Sequence, residues 1–199
     1  MPSLAATKAS ARNVLRRFRR SRAGSAAVEF ALVAPVFFAL LFAIIEVAIM
    51  FFASQVLETI TQDSARALMT GQAQTGAVSA CAVGGVATPC TAASFHTYAC
   101  QGLAQVLFGS GGSNCPNLYI DVESYSSFSN VAINNQIDGS GNFTNANMQY
   151  SPGGPGDTVV VRMFYQWPLF VTGLGFNISN LSGNQRLLVA TSAFQNEPY

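Results

Sequence analysis

The sequence predicts an α+β protein, in which a long N-terminal helix crosses a membrane and continues into a small extracytoplasmic domain with an antiparallel sheet. Three observations predict this. Residues 30–45 carry no charged or hydrogen-bonding side chain. Seven of the ten basic residues precede Gly24, with no acid among them. Segments that alternate apolar and polar residues, separated by Gly- and Asn-rich turns, fill the second half of the chain. Hydrophobic residues make up 50% of the 199 and charged residues only 10%, against about 25% charged in an ordinary soluble domain. That balance belongs to a membrane or exported chain.

The basic residues Lys8, Arg12, Arg16, Arg17, Arg19, Arg20 and Arg22 mark residues 1–24 as a leader that stays in the cytoplasm. After Gly24 three Arg face nine Asp and Glu. A basic arm before an acidic remainder is also what a nucleic-acid arm looks like, but the apolar run decides against it. Nucleic acid is not an expected partner; membrane lipid is. Residues 30–54 as a helix would measure about 37 Å at about 1.5 Å per residue, enough for a hydrocarbon core of about 30 Å. Glu46 is the objection. The eleven Leu, Ile, Phe and Val between positions 30 and 45 contribute roughly −0.3 to −0.6 kcal/mol each, which outweighs about +3 kcal/mol for a central acid. Glu46 also lies toward the far end of the run, where the penalty is smaller. With the arginines retained inside, the acidic bulk of the chain is expected outside. A secretory signal cleaved after the apolar run fits poorly, because the run is too long and Phe51 and Phe52 stand where cleavage near Ala53 and Ser54 needs small residues.

The junction before the span reads R-R-F-R-R-S-R-A-G-S-A-A-V-E-F-A-L-V-A-P over residues 16–35. One reading makes Gly24 a linker glycine and Glu29 an acid favoured by the positive end of the helix dipole. The other rests on a likeness. The joint order of basic run, Gly24-Ser25, Glu29-Phe30, apolar span, Glu46 and amphipathic helix resembles the type IV pilins and pseudopilins. Within them it is most similar to the TadE-like family, minor pseudopilins of tight-adherence (Flp) pilus systems. The stretches I-I-E-V-A at 44–48, Q-V-L-E-T-I-T-Q-D-S-A-R at 55–66 and A-T-S-A-F-Q-N-E-P-Y at 190–199 share the likeness, whereas 72–155 carries none.

The resemblance implies a pilin-like fold and cleavage after Gly24 by a prepilin peptidase, with Ser25 as the new N-terminus. Glu29 then becomes the fifth mature residue, placed to neutralise the freed amino group of a neighbouring subunit. A carboxylate is tolerable in apolar surroundings only when so paired. The implied partners are inner-membrane lipid, the prepilin peptidase, other pilins and pseudopilins, and the pilus assembly platform. The implied location is the bacterial inner membrane, single-pass, with the N-terminus cytoplasmic and the C-terminal domain periplasmic or carried into the pilus. Surface adhesion and biofilm formation are the implied roles. A reading from another class remains: a permanently anchored single-span envelope protein whose periplasmic domain binds a ligand or another protein. Glu46 also has two readings, an acid facing another pilus component or one in contact with water at the periplasmic interface. Pro35 removes a helical hydrogen bond and invites a kink.

Beyond the span, Val56, Leu57, Ile60, Ala67 and Leu68 recur at helical spacing, with Glu58, Gln62, Asp63 and Arg66 on the other face. The helix is therefore expected over 25–71, stopping at Gly71, and the extracytoplasmic domain over 72–199. Residues 72–91 read as loop. A second helix is expected over 94–108, with Phe95, Tyr98, Leu103, Val106 and Leu107 on one face, ended by the Gly-Ser run at 109–114. Strands are expected at 118–125, 128–134, 158–167 and 185–193, with turns at 138–142 and 151–156. Asp121 and Glu123, at alternate positions, are expected on a solvated strand face. Tyr165, Trp167 and Phe170 are expected in a core or a subunit contact.

Cys81, Cys90, Cys100 and Cys115 all fall in the exported part, where oxidation to two disulfides is expected. Three pairings are possible; joining neighbours, Cys81 to Cys90 and Cys100 to Cys115, closes the smallest loops. A zinc site would need closer ligand pairs than spacings of 9, 10 and 15 residues provide. No metal or other cofactor is expected, and no enzyme: there is no nucleophile elbow, P-loop or H-E-x-x-H, and His96 is the one histidine.

Overall fold

The structure, a computed structural model, describes residues 24–107, 115–172 and 177–199. The leader through residue 23, Phe108, the break at 109–114, residues 173–176, and the side chains of Ser25, Ala104, Gln105, Val106 and Leu107 lie outside the described residues. The chain divides into two units, residues 1–45 and 46–199. In the first, the described part is a short helical turn at Gly24 and the opening of helix α1 (Ser25–Met69), which passes through Pro35. Phe30, Leu32, Val33, Val36, Leu40 and Ile44 are all exposed there. Leu and Phe on every side of a helix suit lipid rather than a core, and α1 is long and apolar enough to cross a membrane.

In the second unit α1 becomes amphipathic. Its buried positions are Glu46, Met50, Ala53, Val56, Leu57, Ile60, Thr61, Ser64, Ala65, Ala67 and Leu68. Steps of three and four residues keep such a set on one side of a helix. Gln62, Asp63 and Arg66 are exposed opposite. The helix ends at Met69, and Gly71 follows in the left-handed region at φ 73°, a conformation that glycine adopts without penalty.

The 72–91 stretch is more ordered than a loop. It holds a one-turn helix, α2 (Gln72–Thr75), and a 3-10 turn at Ser79–Cys81. Its closest approach is at Gly76 (φ 79°), where a Cβ would stand 2.3 Å from the backbone nitrogen of Thr88. Helix α3 (Ala92–Leu107) begins where Thr91 and Ser94 exchange side-chain and backbone hydrogen bonds, a local N-terminal cap. It buries Phe95, Ala99, Cys100 and Leu103.

The sheet is antiparallel with order β1-β2-β3, from β1 (Leu118–Tyr125), β2 (Thr158–Pro168) and β3 (Gln185–Gln195). Register sets Asp121 opposite Arg162, and Arg162 opposite Thr191. Alternation then sorts the faces. Val122, Val159, Val161, Met163, Tyr165, Leu188 and Ala190 join the buried side chains of α1 and α3 in one core. On the opposite face Phe164, Leu181 and Leu187 form a smaller cluster with Tyr119, Ile137, Phe143 and Met148.

Two expectations fail here, for related reasons. Residues 128–134 form no strand but a 3-10 turn at Phe128–Asn130 followed by extended chain. The segment carries Asn130 and Asn134, and its apolar residues Phe128 and Ile133 remain exposed, so it gains little from a sheet edge. Asp121 and Glu123 are not on a solvated face. Asp121 is 1% exposed, and Arg162, 4% exposed, reaches across to it. The chain between β1 and β2 lies over that face: Gln149 donates to Asp121 and the Asn134 carbonyl accepts from Arg162. The aromatic expectation divides. Tyr165 is in the core and Trp167 packs against it, while Phe170 is 80% exposed.

Candidate functional site

The polar chemistry falls in four places. At the start of α1, Gly24 sits in the turn just ahead of Ser25, and a Cβ on it would meet nothing within 4 Å. Glu29 is the fifth residue of α1, and both it and Phe30 are exposed. The first turn of the helix beyond the 24–25 bond carries small, exposed residues, Ala26 and Ala27.

Glu46 is the first member of the buried stripe of α1 and is 7% exposed. Its carboxylate accepts hydrogen bonds from the backbone N–H groups of Phe170 and Val171, the latter at 3.2 Å to Oε2 and 3.3 Å to Oε1. Two amide dipoles directed at one carboxylate replace the water lost on burial, and charge-assisted bonds of this kind are about twice as strong as neutral ones. Neither sequence reading of Glu46 anticipated a partner within its own chain. The available signal was spacing: Glu46 precedes Met50, Ala53, Leu57, Ile60 and Ser64 in three- and four-residue steps.

The third place is the cysteine-bearing segment. Cys81 and Cys90 are paired at Cα–Cα 4.9 Å, and Cys100 and Cys115 at 5.7 Å, within the usual range for a disulfide. The first staples the 72–91 excursion, where Cys90 also donates its N–H to Ala73. The second ties α3 to the start of β1. His96, beside them on α3, has its Nε2 3.0 Å from the Leu118 carbonyl, where an N–H donates. It is a structural contact between α3 and β1. Among the described residues no group of three or more His, Cys, Asp or Glu could hold a metal ion.

The fourth is the ion cluster under the β1–β2 connection. Arg162 donates Nε and Nη2 to Asp121 Oδ2 at 3.1 and 2.5 Å, with Glu123 Oε1 3.5 Å from Nη2. Tyr125 donates its hydroxyl to Glu123. Burial, with that bond and the Glu123 charge, raises the Tyr125 pKa. The guanidinium also lies 5.5 Å from the centre of the Phe164 ring. Asp121 and Arg162 are enclosed and satisfy each other, with Tyr125 and Glu123 at the more open edge, so the cluster acts first as a structural tie between β1 and β2.

Two shallow hollows lie among the described residues. One, of about 150 Å³, is lined by Ala92, Phe95, Ile120, Met148, Gln149 and Tyr150; burial pushes the Tyr150 hydroxyl up to about 12. The other, of about 190 Å³, lies between α1 and α3 beside Asp63, Ser64, Ser79 and Tyr98. Tyr98 is raised by burial and then by the Asp63 charge. Neither hollow sets a nucleophile against a base.

Comparison with protein families gives one match. Residues 24–66 match the family model described as TadE-like protein, the family that the sequence resembles. The matched stretch holds Gly24, Ser25, Glu29, Phe30 and Glu46 and ends within the amphipathic part of α1. Neither the curated proteins nor the solved structures offer a match to this chain.

Proposed function

We propose that this protein is a minor pseudopilin of a tight-adherence (Flp) pilus system, made as a precursor and cut between Gly24 and Ser25 by a prepilin peptidase. The family resemblance links the chain to such pilus systems, and the observation that carries the finer reading is the make-up of α1. The helix begins at Ser25, directly after Gly24, presents Glu29 at its fifth position, and exposes apolar side chains all round through Ile44 and Ile45. A helix of that kind holds in lipid while a subunit waits, and packs against like helices when it is drawn into a fibre. Glu29 neutralises the new amino terminus of a neighbouring subunit during that transfer. The 25–71 helix is the anchoring and assembly element. The disulfide-bonded 72–199 part is the periplasmic body, with the basic leader left in the cytoplasm.

The role is passive: the chain is a substrate for the peptidase and a packing subunit for the pilus, through which it contributes to surface adhesion and biofilm formation. Intact mass and N-terminal sequencing of protein taken from native membranes test this. With the peptidase present the chain begins at Ser25, and without it the leader remains. An uncut leader in both strains overturns the reading and favours the permanently anchored alternative.

A further inference from the structure

The mature span is longer than a bilayer needs, and the excess lies around Glu46. Helix from Ser25 to Ile45 already covers about 31 Å at about 1.5 Å per residue, the thickness of a hydrocarbon core. Yet past Glu46 the helix still exposes Ile49 at 48%, Phe51 at 62% and Phe52 at 54%. Glu46 therefore stands at a level where the rest of the helix surface is still apolar.

The β2–β3 connection meets α1 at that level. Residues 167–172 read Trp-Pro-Leu-Phe-Val-Thr, without a charge, and Phe170 at their centre is 80% exposed. Irregular backbone touches lipid only where its polar groups are satisfied within the protein. Three of the segment's N–H groups are: Leu169 donates to the Asn184 carbonyl at 3.0 Å, and Phe170 and Val171 donate to Glu46. Leu169 turns inward, 7% exposed, while Pro168 and Phe170 on either side of it are exposed.

We propose that this corner is a second membrane contact, with Phe170 seated at the boundary between headgroups and acyl chains of the periplasmic leaflet and Glu46 latching the corner to α1. The proposal rests on the membrane-spanning reading of α1. A single Phe side chain of this exposure adds a contact that orients the body but does not itself anchor it.

Full-length protein in vesicles tests both readings separately. In a Trp167→Phe background, which removes the chain's one tryptophan, tryptophan is placed at Phe38 or at Phe170, both exposed positions. Phospholipids brominated near the headgroup end of the acyl chain quench Phe170→Trp, and deeply brominated ones quench Phe38→Trp. Adding Glu46→Gln lowers the shallow quenching of Phe170→Trp and admits aqueous iodide. If Phe38→Trp is quenched but Phe170→Trp is reached only by iodide, the corner faces water and the proposal falls while the span stands. If neither quencher reaches Phe170→Trp, a protein covers it and the proposal falls equally. If Phe38→Trp escapes deep bromolipid, the spanning reading fails and takes this one with it. Unchanged quenching in a folded Glu46→Gln variant removes the latch; if that variant does not fold, the Phe170→Trp arm still decides the membrane contact.

Discussion

Truncating Asp121 to alanine should be among the most damaging single changes in the second unit. It leaves a guanidinium that is 4% exposed with the Asn134 carbonyl as its hydrogen-bond acceptor and only the more distant Glu123, 3.5 Å away, as a counter-charge. Removing one partner of a buried pair costs about 3 to 5 kcal/mol, a folding constant lower by roughly two to three and a half powers of ten. Arg162→Met should cost a similar amount by leaving the Asp121 and Glu123 carboxylates facing each other. The double variant removes both charges and leaves two orphaned backbone groups, the Asn134 carbonyl and the Gln149 N–H, at about 1 to 3 kcal/mol each. It should therefore fall short of the summed single losses by at least about 2 kcal/mol, the signature of a coupled pair. Urea unfolding of the full chain in detergent, with disulfides intact and Trp167 emission as the probe, reads this directly. With a slope near 2 kcal/mol per molar, the Asp121→Ala midpoint drops by about 2 M. A midpoint unmoved by Asp121→Ala, or a double variant equal to the sum of its parts, would refute the argument.

Other expectations follow from the same coordinates. Replacing Cys100 and Cys115 by serine reopens a loop of separation 15 and should lower stability by about 3 kcal/mol, against slightly less for Cys81 and Cys90, whose separation is 9; thermal melts of the two double variants compare them. Gly76→Ala pairs a left-handed φ of 79° with a Cβ only 2.3 Å from the Thr88 backbone, and should cost several times the roughly 1 kcal/mol of Gly84→Ala, where φ is also positive but the space is open. Tyr150, pushed up to about 12 by burial, holds its proton between pH 10 and 12 in the folded chain while the unfolded chain releases it. Its contribution is thus fully present below about pH 10 and lost as pH rises through about 12. Absorbance at alkaline pH should show tyrosine ionisation extending to about pH 12, and Tyr150→Phe should remove one tyrosine from that late part with folding at neutral pH unchanged or slightly improved, because the buried hydroxyl has no partner.

Much of the architecture was readable because it rests on periodicity and exclusion. An unbroken apolar run admits few structures other than a spanning or core helix, and Val and Tyr alternation in β1 and β2 marks strands wherever they pair. What escaped was information held in distant partners. Asp121 and Glu123 looked solvated because alternation shows which residues share a face but not what lies over it; their cover comes from residues 134–149, whose local pattern is that of a loop. The 128–134 segment alternates well enough for a strand, yet an edge without a neighbour gives alternation nothing to bury. Glu46 was visible as an anomaly, but its explanation lies in two amide groups on the far side of the sequence. Amides have no side-chain signature, so no reading of residue types alone could have supplied them.

The tail of β3 has a consequence for how the body is made. Glu197 donates its N–H to the carbonyl of Met69 at 2.9 Å, the last residue of α1, and the ring of Tyr199 lies against Gly71. The helix is synthesised well before this stitch. Until β3 arrives, Leu57 and Leu68 have no finished core to enter, and the half-made body presents a greasy flank to whatever surrounds it. That flank is covered only when β3 docks and its tail reaches the end of α1.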